Sequence, residues 1–246
     1  MCWSGEASTA LATIGLSSTV YFWYKKEPAV LWATLGYFSL MEALQAYTYT
    51  VIDDCASPGN QIATLLGYLH IAFQPFFINA LSMYFIPERI KNKISGVVYF
   101  FCFLSAIAFL IRLYPFNWAP ACYQVKYKFF VFNDYFDSFI VPFCGEKICS
   151  VSGAWHIAWE VPAIANLFLV NMYAFSAFFL PFFYGSWKIT IYHLLTGPFL
   201  AYLTTSNPNE WAAVWCLYSI GLLLILVKTR IRDYLHVKQW FWWRYV

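Results

Sequence analysis

The sequence predicts an all-α membrane protein built from seven transmembrane helices. Composition is the first reason, since 61% of the 246 residues are hydrophobic and only 11% are charged, far from the balance of soluble globular proteins. The second is that seven apolar segments are long enough to cross about 30 Å of hydrocarbon as helices. The third is that the cations are concentrated in the connections on one side of these segments.

The seven helices form a single membrane domain covering residues 1–246, and turn-forming residues separate them. Proline, glycine or asparagine occurs in several connections, for example at 57–60 and 207–210. Asn207 and Pro208 predict the start of the last helix, with Glu210 as the capping partner of Asn207. The helices are predicted near residues 4–24, 29–51, 61–86, 94–114, 153–183, 189–206 and 210–229.

The distribution of lysines and arginines predicts the orientation of these helices in the membrane. One face receives Lys25, Lys26, Arg89, Lys91, Lys93, Lys188, Lys228, Arg230, Arg232, Lys238 and Arg244, and the other receives Arg112, Lys126, Lys128 and Lys147. Because cytosolic connections carry the excess of cations, we expect the N-terminus outside and the C-terminus in the cytosol. The cytosolic tail, 230–246, ends in aromatic and cationic residues typical of an anchor at the surface of the lipid bilayer.

Residues 115–152 form a cysteine-containing loop on the predicted outer face. Residues 125–132 and 136–143 are rich in β-forming residues, which predicts a hairpin or a short capping subdomain. Because disulfides persist on an oxidising side, Cys55, Cys122, Cys144 and Cys149 are the disulfide candidates. With Cys2 the outer cysteines number five, so one thiol is free or links two copies in a homo-oligomer. Spacing leaves the connectivity open.

Two acidic residues, Glu42 and Glu160, and one histidine, His70, interrupt otherwise apolar predicted helices. A charged side chain in hydrocarbon costs several kcal/mol unless it faces a cavity, a partner or an ion. Counting at ~1.5 Å per helical residue places all three roughly 10–14 Å below the outer edge. They therefore share one level, and the sequence predicts an outward-opening polar pocket there.

Helical spacing adds three neighbours to this pocket. Gln45 lies three positions from Glu42, Gln74 four from His70, and His156 four from Glu160. The same counting places His193 near the cytosolic side and His236 in the tail. Neither histidine is therefore expected in the site. The predicted binding pocket thus comprises Glu42, Gln45, His70, Gln74, His156 and Glu160.

Three functions fit such a pocket. The polar groups could bind or transport a metal ion, a proton or a small solute. Alternatively, His70, His156, Glu160 and Glu42 could hold a divalent metal such as zinc in an intramembrane hydrolase, for which catalytic residues stay unassigned. In the third, they form a structural hydrogen-bond network between helices. No cofactor is certain from the sequence.

Several other functions are excluded by what the sequence lacks. There is no basic cluster in a nucleic-acid-binding motif, and no phosphate-binding or nucleophile-elbow motif. Covalently bound retinal, as in rhodopsins, is not expected because Lys228 lies at the cytosolic end of the last helix. The histidine motifs of the zinc-dependent seven-helix hydrolases, such as alkaline ceramidases, are also missing.

Three stretches resemble an uncharacterised family of small polytopic membrane proteins, a domain of unknown function, that begins with Met-Cys-Trp-Ser. They are residues 1–4, 152–160 and 209–216, the second reading Ser-Gly-Ala-Trp-His-Ile-Ala-Trp-Glu. The resemblance runs across nearly the whole chain, including the outer segment before Trp155. It implies a shared fold and no established activity, so it does not choose among the three functions.

Overall fold

The computed structural model describes residues 3–113, 116–117, 119–124, 128–131, 134–137 and 142–241, most of which lie in helices. The long helices are α1 (Gly5–Tyr24), α2 (Ala29–Thr48), α3 (Pro58–Tyr84), α4 (Glu88–Ile111) and α9 (Trp211–Lys228). The shorter ones are α5 (Leu167–Ala174), α6 (Leu180–Phe183), α7 (Trp187–Leu194), α8 (Leu200–Thr204) and α10 (Ile231–Leu235).

Two π-helical segments join the shorter helices into longer runs. The first, π1 (Phe175–Phe179), connects α5 to α6, and the second, π2 (Leu195–Phe199), connects α7 to α8. Pro198 lies inside π2 and donates no backbone hydrogen bond to it. Such π-segments are rare and occur frequently at functional sites.

Local sequence explains where several helices begin. The Ser4 side chain accepts a hydrogen bond from the Ala7 N–H at 3.3 Å and caps α1. Asn166 caps α5 by accepting from two backbone N–H groups of its first turn. Pro58 is the first residue of α3, where its missing N–H costs no intrahelical bond.

Three helices in the described part of the chain are long and apolar enough to cross a membrane, namely α3, α4 and α9. The run from Phe168 to Phe183 is apolar but shorter. Phe100 and Phe103 on α4 are more than half exposed, as expected of a helix that faces lipid. The helices therefore fit a membrane protein, while the seven spans predicted from the sequence remain a prediction.

The predicted helix over 153–183 is wrong in its first part. Strand β3 (Cys149–Ser152) pairs antiparallel with β4 (Ile157–Glu160), Cys149 opposite Glu160 and Ser152 opposite Ile157. Gly153 lies in the turn, and the helix starts only at α5. The apolar residues that suggested a helix instead fill the bundle core, since Ile157 and Trp159 are at most 1% exposed.

This β3–β4 hairpin covers one end of the helix bundle, which we call the hairpin end. Backbone hydrogen bonds tie it to three other parts of the chain: Trp3 N–H donates to Trp155 O, Asp53 N–H to Ser150 O, and Trp159 N–H to Asn209 O. Of these partners, Trp3 lies before α1, Asp53 after α2 and Asn209 before α9. The hairpin therefore holds three helix ends in fixed relative positions.

The opposite end of the bundle, the tail end, is covered by α10 and the residues after it. Val237 N–H donates to Phe85 O at 2.8 Å, and Lys188 Nζ donates to Tyr234 O. Arg232 forms an ion pair of 2.9 Å with Glu27, just after α1. The C-terminal segment thus packs across the ends of α1, α3 and α7.

Two disulfides lie at the hairpin end. Cys55, just before α3, is bonded to Cys149 of β3, and Cys122 is bonded to Cys144. Cys102 and Cys216 are free and buried, and Cys2 lies outside the described residues. The predicted outer loop also contains a short hairpin of β1 (Lys128–Val131) and β2 (Asp134–Asp137). The remainder of the predicted β-rich runs falls largely outside the described residues.

Candidate binding site

Glu42 of α2 lies at the centre of the candidate site. It is completely buried, and neither carboxylate oxygen has a hydrogen-bond partner in the described part of the chain. Ser8 of α1 lies beside the carboxyl group without forming a hydrogen bond to it, and Cys216 of α9 lies nearby. Glu42 therefore occupies the space between α1, α2 and α9.

Gln45 extends the site by one helical turn towards the hairpin end. Its side chain is fully buried, and its amide oxygen and nitrogen both lack a partner among the residues described. Leaving a buried polar group unpaired costs about 1–3 kcal/mol. Four neighbouring polar atoms of Glu42 and Gln45 are thus unsatisfied on one face of one helix, which is far from the usual state of protein interiors.

His156, in the hairpin turn before β4, supplies a donor. Its Nδ1 accepts the Ile157 N–H at 2.8 Å and lies 3.1 Å from the Tyr49 hydroxyl. In a neutral imidazole only one nitrogen carries hydrogen, so the proton sits on Nε2. That Nε2–H is buried and has no partner within the described ranges. Burial lowers the pKa of His156 to about 3, which keeps the ring neutral.

Trp3 and Tyr49 close the site on its outer side. The Trp3 ring stacks on His156 with 5.8 Å between ring centroids, and its Nε1–H donates to Ser8 at 2.8 Å. The Tyr49 ring also lies next to His156, with 5.8 Å between ring centroids, and Glu42 is near it. Both aromatic rings therefore separate the buried groups from the surface.

An open groove of about 800 Å³ leads to these two rings at the hairpin end. It lies between the first turns of α1 and the end of α2. Its lining includes Trp3, Thr9 and Tyr49, with Glu6 exposed at its rim. Solvent can thus reach the outer faces of the rings that cover the site.

Glu210 fixes the position of His156, a role that the sequence prediction missed. The fully buried carboxylate accepts from the backbone N–H groups of Ala154, Trp155 and His156 at 2.8–3.1 Å, and from the Thr205 hydroxyl at 3.2 Å. It does not cap its own helix as predicted. Glu210 and the hairpin are more than fifty residues apart in sequence, so no local pattern could have predicted this contact.

Gly153 is required for this arrangement. A Cβ atom at this position would lie 2.3 Å from the Glu210 carboxyl carbon and 2.5 Å from His156 O. Both distances are far inside van der Waals contact. The turn and the carboxylate that holds it therefore depend on the absence of a side chain at position 153.

His70 and Gln74 lie deeper in the bundle and have other contacts. The His70 ring stacks on Tyr37 at 3.8 Å, and its Nε2 is unpaired in the part of the chain described. Gln74 accepts from the Tyr173 hydroxyl at 2.5 Å and contacts the Cys216 thiol. Gln74 thus links α3, α5 and α9, and its partners are not the two glutamates of the predicted structural network.

Glu160 is displaced from the predicted pocket because it ends a strand and not a helical turn. Its side chain packs on Gly145 and is only partly buried. Burial and the nearby Glu146 raise its pKa. The predicted helical pair of His156 and Glu160 therefore does not exist, since the two residues are four positions apart in a β-hairpin.

The metal site predicted from His70, His156, Glu160 and Glu42 is not supported by this geometry. Across the described residues, His, Cys, Asp and Glu side chains nowhere form a group of three or more suited to a metal ion. The predicted set required His156 and Glu160 on one helical face. The structure places Glu42 and Gln45 on one face of α2, and Tyr49, one turn further along, contacts His156 through its hydroxyl.

The comparisons with known proteins give a family and no activity. No match was found among curated proteins or among solved structures. One family model does match, over residues 6–236, and it is described as a family of unknown function, DUF5765. This agrees with the expectation of an uncharacterised family. The chain therefore belongs to the DUF5765 family of unknown function.

Proposed function

We propose that this chain is a multi-pass membrane protein that binds a proton or a small polar solute at Glu42, Gln45 and His156 and passes it across the membrane. The observation that carries the proposal is the Glu42 carboxyl group, which is fully buried with both oxygens unpaired among the described residues. Such groups in membrane proteins mark ion and solute pathways.

The same proposal includes seven membrane-crossing helical runs with the hairpin end outside. Both disulfides lie at the hairpin end, which suits an oxidising compartment. The tail end carries Lys188 and Arg232 beside the C-terminal segment, which suits the cytosolic face. The N-terminus would then be outside and the C-terminus inside.

The chemistry of the site defines what it would bind. Glu42 offers two acceptor oxygens, His156 offers an Nε2–H donor, and Gln45 offers one acceptor and two hydrogens. A proton carried by water, or a solute with N–H or O–H groups beside an acceptor, satisfies this set. The groove at Trp3 and Tyr49 provides the route from outside, and movement of these rings would open it.

Proton flux into proteoliposomes tests the proposal. With an imposed pH gradient and a pH-sensitive dye inside, wild-type protein should exceed the leak of protein-free liposomes. Glu42→Gln removes the titrating group at nearly constant volume, so we expect flux to fall at least about tenfold, the effect of losing roughly 1.4 kcal/mol of differential stabilisation.

Glu160→Gln is the matched control, because this partly buried carboxyl lies on the hairpin away from the site and should leave flux within about twofold. If Glu42→Gln and wild type carry the same flux, the proposal fails. If wild type does not exceed empty liposomes, proton transport is excluded, and a panel of radiolabelled ammonium and amino-acid solutes then decides whether Glu42 binds anything.

A further inference from the structure

The groove at the hairpin end is large enough to hold a small organic molecule. Its volume of about 800 Å³ falls in the range of small-molecule sites. Its two walls, the start of α1 and the end of α2, meet where Gly5 packs on Tyr49, since a Cβ atom on Gly5 would lie 3.0 Å from the Tyr49 Cβ. The chemistry of these walls indicates which molecule would bind.

The two aromatic side chains of the groove use their polar hydrogens inside the protein. Trp3 Nε1–H donates to Ser8 at 2.8 Å. His156 carries its hydrogen on Nε2, so the Tyr49 hydroxyl is the donor in its 3.1 Å contact with His156 Nδ1. The outer faces of both rings therefore offer a ligand π electrons and no directed hydrogen.

The hydroxyl groups of the groove are also committed as donors. Thr9 and Thr50 each donate to a backbone carbonyl of the preceding turn at 2.7 Å. The Ser4 hydroxyl lies beside the Glu6 carboxylate, which can accept its hydrogen. The side chains that line the groove therefore face it with acceptor oxygens and aromatic rings.

The charges along the groove have one sign. Glu6 is exposed at the rim, and its carboxylate in the first turn of α1 offsets the positive end of that helix. The opposite wall is the last turn of α2, which carries no basic residue and whose negative end favours a cation. Among the described residues that line the groove there is no lysine, arginine or histidine.

We propose that this groove binds a small organic ammonium cation, with its positive charge against the outer faces of Trp3 and Tyr49 and close to the Glu6 carboxylate. Aromatic faces attract such cations within about 6 Å of the ring centroid, and a nearby carboxylate adds to the attraction. The inference deepens the proposed function and rests on it in one respect, because it takes the groove as the entrance to Glu42 and so names the class of solute.

Saturation-transfer NMR on the full-length protein in detergent micelles tests the proposal. The probe is choline, whose methyl signal is recorded in a titration that gives the dissociation constant. The control ligand is 3,3-dimethyl-1-butanol, which has the same shape as choline with carbon in place of the charged nitrogen. We expect saturable binding of choline, and binding of the uncharged isostere at least about tenfold weaker.

Two pairs of variants locate the binding in the groove. Glu6→Gln should weaken choline binding about 2–5-fold, whereas Glu88→Gln, an exposed carboxylate in the first turn of α4 at the tail end, should leave it unchanged. Tyr49→Leu removes a ring and should weaken binding about 3–10-fold, while Tyr49→Phe keeps the ring and should bind within about twofold. Because Glu6 is exposed, its variant decides the matter even if Tyr49→Leu does not fold.

Three results would overturn the proposal: no saturable choline binding, equal binding of the uncharged isostere, or wild-type affinity in both Glu6→Gln and Tyr49→Leu. Binding in detergent is measured without transport, so the two proposals can fail separately. Choline binding without any flux into proteoliposomes would contradict the proposed transport and leave the site standing. Flux that depends on Glu42 without choline binding would contradict the ammonium site alone.

Discussion

Replacing Glu210→Ala should lower the free energy of unfolding by about 3–5 kcal/mol, because it leaves several buried donors without an acceptor. Three of these are consecutive backbone N–H groups of the hairpin turn, and the fourth is the Thr205 hydroxyl. Water cannot replace the carboxylate without opening the contact between the turn and α9. The loss should appear as a lower unfolding midpoint of the purified protein.

Glu210→Gln is the informative comparison for this prediction. It keeps one acceptor oxygen but brings a second group that can only donate, so we expect an intermediate loss of about 2–3 kcal/mol. Hydrogen exchange should quicken first at Trp155 and His156, whose N–H groups bond the carboxylate directly. Unchanged exchange at these amides in Glu210→Ala would show that the carboxylate does not hold the turn.

Removing the disulfide between Cys55 and Cys149 should be similarly costly. The two cysteines are 94 residues apart in sequence, and closing a loop of this size restricts the unfolded chain by about 4.5 kcal/mol in the chain-entropy account. We expect the double variant Cys55→Ser with Cys149→Ser to unfold at a markedly lower denaturant concentration than wild type. The hairpin would then keep its hydrogen bonds but lose its covalent link to the start of α3.

The second disulfide provides a control within the same protein. Cys122 and Cys144 are only 22 residues apart, so their removal should cost about 3.5 kcal/mol on the same account. Which disulfide costs more stability when it is removed is a stronger test of this account than either value alone. A larger loss from the shorter loop would mean that local packing, and not restriction of the unfolded chain, dominates.

The helices could be predicted from the sequence because apolar length and turn-forming residues are local signals. Glu42 and Gln45 could also be identified from sequence, since polar groups in an apolar helix are conspicuous. Both side chains are buried, and neither has a hydrogen-bond partner for its terminal atoms in the described part of the chain. His193, which the sequence placed at another level, accepts a hydrogen bond from Trp215 and does not line the groove at Trp3 and Tyr49.

The hairpin could not be predicted, because residues 153–166 have the same apolar composition as a membrane helix. What makes them a hairpin is supplied from elsewhere in the chain, by Glu210, by the Cys55 disulfide and by the backbone of Trp3 and Asn209. If this segment were helical, His156 and Glu160 would lie on one face of the helix. The β-register separates them, and with that separation the predicted metal site is lost.

Infrared spectroscopy of the membrane-embedded protein tests the central claim most directly, because it detects exchange of a proton at the Glu42 carboxyl group through its C=O stretch. We expect a difference spectrum recorded across a pH step to contain a carboxyl band that shifts in D2O within seconds, because movement of the Trp3 and Tyr49 rings would connect Glu42 to the groove. That band should be missing in Glu42→Gln and retained in Glu160→Gln. An identical spectrum in wild type and Glu42→Gln, or a Glu42 band that does not exchange in D2O, would contradict a solvent-connected site at Glu42.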